Sequence, residues 1–358
     1  MRHEIPARAM SVARFARAWS MADGDTRAAL AFAASQGWPD YPRVAEFIKA
    51  GVGGLETGAT ANALALDVAE ILRPMTVIGR LPGVRTMPFN ARLLGMSAGA
   101  SAAFVRPGAA IPLSGPAFSN PGTLERKKVG GLIVASDETL RDANPQTERA
   151  LTADLFAAMA QAMDEAFLDP ASDGSDDRPA SVTNGGATTV STDADRASVD
   201  ADLAAVVKDL LDAGSTLQSA VWVVHPRSAV YLSMLRGTGG ALAHPGISVL
   251  GGTLLGLPVL VTAALGITPD TAATTSIVLV DADGVLIGDQ GESSLAMSRN
   301  GLLEMDNAPQ GDTLTPTGAS ASTVSLFQAN AAALRGIRYI NWLKRRAVVA
   351  STLTGVSY

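Results

Sequence analysis

The sequence predicts a mixed α+β fold, and three of its features support that prediction. Residues 144–168 carry one apolar stripe at helical spacing. Residues 199–284 alternate between amphipathic helical stretches and short apolar runs typical of buried strands. Residues 323–342 are long and largely apolar, which favours an extended strand pair. Helices and strands therefore both contribute to the core, in separate stretches of the chain.

Composition excludes several classes of protein. The chain has 358 residues, 47% of them hydrophobic, and its 28 basic and 34 acidic side chains give a net charge of −6. This length predicts one large or two modest domains, and the acidic balance argues against a general nucleic-acid binder. The absence of cysteine excludes disulfides, thiolate metal sites and cysteine nucleophiles, and there are only three histidines. We therefore expect no enzyme activity, no catalytic residue, no cofactor and no metal site.

No stretch of the sequence predicts export or membrane insertion. The N-terminal residues contain scattered basic side chains and no continuous apolar run of signal-peptide length. The longest apolar runs elsewhere are far shorter than the ~20 residues that a membrane helix needs. We expect a soluble protein made in a cytoplasm, with no membrane partner.

Residues 1–75 are predicted to form short helices joined by loops. Helical patterns cover 26–36 and 41–50, and a glycine follows each of them. Nothing in this region alternates like a sheet, and the pieces are too short to build a core. Two interpretations stay open, namely a helical subdomain or an extended arm that packs on something else.

Residues 76–128 are unusually poor in charge. The central part of the segment carries only two charged side chains, and Gly, Ala, Ser and Pro fill most of it. Apolar stretches at 75–79 and 129–136 are predicted to form the two sides of a long hairpin. The segment is too apolar for a solvated linker and too thin to bury itself, which favours a limb lying on a neighbouring subunit. The side chains expected to make this intersubunit contact are Arg92, Phe104, Arg106, Pro112 and Phe118.

Residues 144–168 give the strongest helix prediction. Asn144 is a good N-cap and Pro145 suits the first helical position. At 1.5 Å per residue this helix would be roughly 35 Å long. Asp164 and Glu165 are expected on its solvent-facing side. The apolar stripe, which is expected to face the core, consists of Leu151, Leu155, Met159, Met163 and Phe167.

The following region predicts an α/β unit. A polar, turn-rich stretch separates it from the long helix. The predicted helices are 202–213 and 226–236, and the predicted strands are 220–224, 258–262, 276–281 and 285–287.

One short motif has the form of a hydrolase nucleophile elbow. Residues 95–99 (GMSAG) place Ser97 at the centre of a G-x-S-x-G pattern. That motif needs a buried strand before it and a helix after it, whereas a Gly/Ala/Pro-rich stretch follows here. The base would have to be His225 or His244, and His225 precedes a helix-starting proline, which is typical of a cap. A serine hydrolase using Ser97 is kept as a remote alternative.

The acidic residues between 169 and 177 have the composition of a calcium loop but not its spacing. An EF-hand register starting at Asp169 would put Ala171 and Ala180 where oxygen ligands are required. We interpret this stretch as a solvated turn.

The order of elements, together with six stretches of sequence, resembles the major capsid proteins of tailed bacteriophages, the HK97-fold family. The most specific stretch is GGTLLGLPV at 251–259, which is similar to the family's GLPV motif at the start of a strand. The other stretches are KVGGLIVASDETL at 128–140, DEAFL at 164–168, the loop at 179–185, WVVHP at 222–226 and the late strand within 326–342. The resemblance covers roughly residues 70–345.

The resemblance implies an HK97-like capsid fold with distinct parts. These parts are an N-terminal arm (1–75), an extended β-hairpin loop (76–128), a peripheral domain with a long spine helix (129–198 and 285–345), an α/β axial domain (199–284) and a C-terminal tail (346–358).

The function implied by the resemblance is structural. Homo-pentamers and homo-hexamers would close into the icosahedral head of a phage or prophage around double-stranded DNA, which they would hold without sequence specificity. The implied partners are a portal and, in addition, decoration or scaffolding proteins, and the implied location is the virion after assembly in the bacterial cytoplasm. An encapsulin-type nanocompartment shell, which shares this fold, is the alternative.

One departure from the family's pattern concerns covalent crosslinking. Some relatives join subunits through isopeptide bonds between a lysine of the extended loop and an asparagine of a neighbour. This chain has no lysine between Lys49 and Lys127, so we expect no such crosslinks. Residues 1–75 also lack a long charged coiled-coil pattern, so we expect an arm that stays in the mature shell.

Overall fold

A computed structural model describes most of the chain. The residues described are 11–52, 72–91, 95–98, 117–119, 122–136, 138, 145–268, 273–289, 293–298, 301–304 and 323–358, apart from positions 12, 13, 16, 20, 23, 24, 176 and 238. The helices are α1 (Thr26–Ser35), α2 (Tyr41–Val52), α3 (Val77–Arg80), α4 (Pro145–Leu168), α5 (Arg196–Asp212) and α6 (Pro226–Met234).

The strands are short in the first half of the chain and longer in the second. They are β1 (Arg85–Met87), β2 (Gly95–Ala98), β3 (Ala117–Ser119), β4 (Lys128–Ser136), β5 (Ala187–Val190), β6 (Ala220–Val224), β7 (Ile247–Ser248), β8 (Gly251–Leu254), β9 (Leu257–Val261), β10 (Thr275–Asp281), β11 (Val285–Gly288), β12 (Ser293–Ser298), β13 (Leu302–Glu304), β14 (Thr323–Ser325), β15 (Ala331–Tyr339), β16 (Asn341–Lys344) and β17 (Ala350–Val356).

The chain divides into two compact units, each built from several segments. The first unit comprises Met1–Arg73, Val129–Ala160 and Gly291–Arg338, and the second comprises Pro74–Lys128, Gln161–Gln290 and Tyr339–Tyr358. Because the boundary falls within α4, the two ends of this helix belong to different units.

In the first unit, aromatic and polar contacts hold the N-terminal helices together. Asp25 caps α1 by accepting a hydrogen bond from the Arg27 N–H at 2.9 Å. The ring of Phe15 packs edge-on against Phe47, with 6.4 Å between their centroids. Elsewhere in this unit, β12, β15 and β4 form a three-stranded sheet, and β13 pairs with β14.

The second unit is built around a seven-stranded sheet in the order β5-β17-β10-β6-β9-β8-β7. Strand β6 is apolar at every position and is buried on both faces, as a central strand requires. The buried side of α5 joins one face of this sheet in a single apolar core, and α6 contributes Ala229 and Leu232 to the same core. A two-residue turn at Leu255 and Gly256, both with positive φ, connects β8 to β9 and gives the twist that tight hairpins favour.

A smaller sheet in the order β1-β11-β16 belongs to the same unit. Its close packing needs a glycine, since a Cβ on Gly288 would lie 2.5 Å from Leu124 Cδ2 and 2.9 Å from Phe89 Cε1. The chain passes from β10 of the large sheet to β11 of the small one through a single 3-10 turn, Ala282–Gly284. This short connection places the end of β10 next to the start of β11.

The predicted hairpin between residues 75–79 and 129–136 is wrong. Residues 77–80 form α3, capped by the Thr76 hydroxyl, which accepts a hydrogen bond from the Gly79 N–H at 3.1 Å. The strand at 128–136 pairs with β15 instead. A short apolar run does not by itself distinguish a buried helical turn from a strand. Here the Thr76 cap favours the helical turn.

Two further differences concern the C-terminal region. The stretch 323–342 is interrupted by a turn at 326–330, where Asn330 adopts a positive φ of 46°, so that it forms β14, β15 and part of β16. The segment 346–358, expected as a tail, contains β17, which lies between β5 and β10 in the large sheet. Its apolar residues reach that core because β10 offers a complementary strand edge.

Candidate functional site

The long helix α4 buries the described part of its predicted stripe. Leu155 is 3% exposed, Met159 1%, and Met163 and Phe167 are fully buried. Leu151 lies in the first half of the helix, and its side chain is outside the described residues. At the other end of the stripe, the ring of Phe167 packs edge-on against Trp342, with 5.3 Å between their centroids.

In the first unit, α4 lies unusually close to the three-stranded sheet. A Cβ on Gly131 of β4 would lie 2.8 Å from Leu155 Cδ1 and 3.0 Å from Met159 Cγ. A Cβ on Gly336 of β15 would lie 3.1 Å from Met159 Sδ. All three distances are shorter than ordinary van der Waals contact. Two glycines on adjacent strands thus create the space that the helix occupies.

Asp164 is buried, contrary to the expectation that it faces solvent. It is 3% exposed, and its Oδ1 accepts a hydrogen bond from the Val77 N–H at 2.7 Å. Burial raises the pKa of Asp164 to about 7, although the Val77 N–H and the nearby guanidinium of Arg80 favour the ionised form. Glu165, the next residue, is exposed as expected. No sequence signal at the helix identifies this contact, because its partner lies 87 residues away.

A second buried carboxylate connects the end of β10 to the C-terminal segment. Asp281 accepts hydrogen bonds from the hydroxyls of Ser215 at 2.5 Å and Ser219 at 2.7 Å, and it forms an ion pair with Arg346. Burial alone would raise the pKa of Asp281, but these hydrogen bonds and the Arg346 charge outweigh it and lower the pKa below its ordinary value. Next to it, Asp283 pairs with Arg345 at 3.2 Å. This network fastens the turn before β17 to the large sheet.

Exposed apolar side chains are concentrated in one segment of the second unit. Of the thirteen large exposed hydrophobic residues described, six lie between positions 230 and 255. We call this stretch the 230–255 segment. These residues and their exposed fractions are Val230 37%, Met234 69%, Leu242 44%, Val249 50%, Leu250 66% and Leu255 57%. This concentration of exposed apolar side chains makes the segment a candidate surface for contact with another molecule.

The five side chains expected to make intersubunit contacts are not tested by the described geometry. Arg92, Phe104, Arg106 and Pro112 lie outside the described residues. Phe118 lies in β3, opposite Met96 of β2, and only its backbone is described. The backbone pairing of β2 with β3 nevertheless gives the segment 76–128 a hairpin of its own.

The hydrolase motif does not have the backbone of a nucleophile elbow. Ser97 lies within strand β2 rather than at a turn between a strand and a helix. His225 caps α6 as expected, since its Nδ1 accepts a hydrogen bond from the Arg227 N–H at 3.1 Å. Burial, followed by the Arg227 charge, lowers the pKa of His225, which favours the neutral imidazole that can accept this hydrogen bond. His225 therefore serves a structural purpose in the second unit.

The described residues contain no candidate metal centre and no candidate membrane span. In the part of the chain that the structure describes, no group of three or more His, Asp or Glu side chains is placed to hold a metal ion. The acidic stretch 169–177 forms turns closed by its own side chains, such as the Ser175 N–H donating to Asp173 at 2.9 Å. Among the described residues, no helix is long and apolar enough to cross a membrane.

Comparison with known proteins assigns this architecture. Residues 68–330 match the phage capsid family. The chain belongs to that family. It is 37% identical over 298 residues to the capsid polyprotein of Pseudomonas phage PAJU2, a match that covers 82% of this chain and 44% of that protein. The chain thus spans less than half the length of this curated relative.

Solved structures of more distant relatives have the same fold. A chain of Mycobacterium phage Ogopogo superimposes with a TM-score of 0.55 at 18% identity, covering 78% of this phage capsid family member and 91% of the Ogopogo chain. The capsid of the native GTA particle gives a TM-score of 0.51 at 16% identity, with 76% and 88% of the two chains covered. The α+β, HK97-like capsid fold expected from the sequence is thereby confirmed, as is the assignment to the phage major capsid proteins. Neither the nanocompartment nor the hydrolase alternative is favoured.

Proposed function

We propose that this chain is the shell-forming subunit of a tailed-phage head and assembles as homo-pentamers and homo-hexamers into an icosahedral container for double-stranded DNA. Membership of the phage capsid family over residues 68–330 is the observation that carries this proposal. The function needs no catalytic residue, cofactor or metal ion. Packaged DNA is held by enclosure, which suits a net charge of −6, since a strongly basic protein would bind the DNA and retain it. Portal, decoration or scaffolding proteins would complete the particle in the host cytoplasm.

In this proposal the parts of the chain keep the roles that the resemblance implies. Residues 1–75 form the arm, and 76–128 extend over a neighbouring subunit through Arg92, Phe104, Arg106, Pro112 and Phe118. The α4 helix is the spine of the peripheral domain, and the seven-stranded sheet is the axial domain, which therefore includes β5 and β17 as well as residues 199–284.

The 230–255 segment supplies apolar area for contacts within a capsomer. Ring contacts are heterologous, so a patch on one subunit meets a different patch on the next. Burying one exposed Leu or Met side chain contributes about 1.5–3 kcal/mol. Because a ring repeats the contact at every interface, even one such residue has a large combined effect on assembly.

Electron microscopy and gradient sedimentation of the purified chain test the proposal. Closed shells, pentamers or hexamers are expected from the chain expressed alone or with its scaffolding partner. A chain that stays monomeric under both conditions would refute the assignment as a self-assembling shell.

A matched pair of variants tests the interface separately. Met234→Glu places a charge at a side chain that is 69% exposed in the subunit, so it should abolish assembly and leave the circular dichroism spectrum unchanged. Gln218→Glu, at an exposed position between α5 and β6, adds the same single negative charge outside the segment and should still assemble. Normal assembly of the Met234→Glu variant would exclude Met234 from the contact.

A further inference from the structure

Three elements of the second unit meet at the buried carboxyl group of Asp164. The first is α4, which carries Asp164 in its C-terminal part. The second is the turn Thr76–Arg80, whose Val77 N–H donates to Asp164 Oδ1 at 2.7 Å. The third is the end of β9, where the Thr262 side chain stabilises the carboxylate. This single side chain is therefore placed to fix the turn that leads into the extended loop.

The turn is also held by the burial of Val77 and Ile78 and by hydrogen bonds of its own. Thr76 caps α3, which is only one helical turn long, and Leu81 N–H donates back to the Val77 carbonyl at 3.1 Å. Arg80 Nε donates to the Thr76 carbonyl at 3.3 Å, and its Nη2 reaches the Val261 carbonyl at 3.5 Å. Most of these hydrogen bonds are local to the turn. The Asp164 contact, at 2.7 Å, joins the turn to the helix.

The charged groups around Asp164 oppose each other. Arg80 faces it from the turn and favours its ionised form, whereas Glu165 on the same helix favours the neutral form. The end of β9 contributes the Thr262 hydroxyl and no charge. Burial is the largest effect and penalises the carboxylate.

We propose that Asp164 is a protonation-controlled tether, which holds the Thr76–Arg80 turn on the spine helix when its carboxyl group is neutral and favours detachment of the turn when it is ionised. A detached turn exposes Asp164 to water, where the carboxylate is fully solvated. The equilibrium for detachment then depends on pH, because the open state releases a proton that the closed state retains. The device sets how firmly the extended loop is anchored at its base, independently of how subunits assemble.

The direction of the pH dependence follows from the pKa of Asp164 in the closed and open states. The pKa of Asp164 is about 7 in the closed state and 3.8 when the group is exposed. The equilibrium constant for detachment of the turn should therefore rise with pH, by up to about tenfold per pH unit between these two pKa values. It should level off above pH 7.

Hydrogen exchange of the unassembled chain tests this proposal without requiring assembly. After correction for the intrinsic rate, protection of the Val77, Gly79 and Leu81 amides should fall at least tenfold between pH 5 and pH 8. The Asp164→Asn variant keeps an acceptor without a charge, so its protection should be independent of pH. Glu165→Gln, the matched change on the exposed neighbour, should retain the wild-type dependence.

A further variant covers the case in which Asp164→Asn does not fold. Arg80→Met removes the cation that favours ionisation and should move the midpoint of the transition to higher pH. Protection that does not vary with pH in the wild-type chain, the same dependence in Asp164→Asn, or an unchanged midpoint in Arg80→Met would each overturn the proposal.

Discussion

The contact between α4 and the three-stranded sheet of the first unit predicts opposite effects for two adjacent glycines. Gly130 and Gly131 are neighbours in β4 and therefore face opposite sides of the sheet. A Cβ at Gly130 would lie 3.7 Å from the Gly336 carbonyl oxygen and 4.0 Å from Ile337 Cγ1, which are ordinary contacts. A Cβ at Gly131 would overlap Leu155 and Met159. Gly→Ala restricts the unfolded chain equally at the two positions. The difference between the two variants therefore reports the contact with α4 alone.

The expected magnitude follows from these distances. At Gly131 the new methyl group would lie 2.8 Å from Leu155 Cδ1, about 1 Å inside a normal carbon–carbon contact. Overpacking of this kind costs about 1–3 kcal/mol. Replacing glycine with alanine also stabilises the folded state by about 0.4–1 kcal/mol, because alanine lowers the conformational entropy of the unfolded chain. We expect Gly131→Ala to lower the free energy of unfolding by about 1–2 kcal/mol and Gly130→Ala to raise it slightly.

Urea denaturation of the unassembled chain, followed by circular dichroism, measures both variants. The midpoint for Gly131→Ala should fall, and that for Gly130→Ala should stay equal or rise. Leu155→Ala provides a second check, because it removes the nearer of the two clashing side chains and leaves the contact with Met159 Cγ at 3.0 Å. In that background Gly131→Ala should lower the free energy of unfolding by clearly less than in the wild-type chain, which corresponds to a coupling of about 1 kcal/mol between the two positions. Equal midpoints for the two glycine variants, or no coupling to Leu155, would refute the close packing of helix and sheet.

Three further predictions concern the second unit and the particle. Asp281→Asn should lower the free energy of unfolding by about 2 kcal/mol, as measured by urea midpoints at pH 7. This is less than the roughly 3–5 kcal/mol typical of breaking a fully buried ion pair, because the Arg346 side chain is 27% exposed. The pKa of Asp281 is lower in the folded than in the unfolded chain, so its ionised form stabilises the fold above the unfolded pKa. This stabilisation is lost as the pH falls through the folded pKa. The difference in free energy of unfolding between wild type and variant should therefore shrink towards pH 3. Gly288→Ala should cost about 1–3 kcal/mol through its overlap with Leu124, seen as a lower melting temperature. Assembled particles boiled in detergent should migrate as monomers on a denaturing gel, and a ladder would contradict the expected absence of lysine crosslinks.

Much of the secondary structure could be predicted because its determinants are local. The bounds of β6 were predicted to the residue from an uninterrupted apolar run, and α6 starts at Pro226, where the proline and its histidine cap indicated. Helix α4 follows from its N-terminal proline and the four-residue spacing of its apolar stripe. Each of these signals lies within about one turn or strand of the element that it specifies.

The remaining features depend on residues distant in sequence. The burial of Asp164 requires Val77, and the Asp281 network requires Ser215 and Arg346, from segments 66 and 65 residues away. Periodicity along α4 places Asp164 beside exposed Glu165 and contains no information about a third element covering it. The strand in 346–358 was missed for the same reason, since its identity depends on the free edge of β10.

The two sets of apolar residues in this chain have different energetic roles. The stripe on α4 is already buried in the subunit, so substitutions there change the free energy of unfolding whether or not a shell forms. The six exposed side chains of the 230–255 segment are only partly buried in the subunit, so they contribute little to that free energy unless another copy covers them. A single contact of about 3 kcal/mol is too weak to hold two subunits at low concentration, since association itself costs more than this. The same contact repeated around a ring is sufficient, and a misplaced subunit that makes only one contact dissociates. In the proposed shell, strong burial within the subunit and modest apolar contacts between subunits would allow the shell to close and its errors to be corrected during assembly.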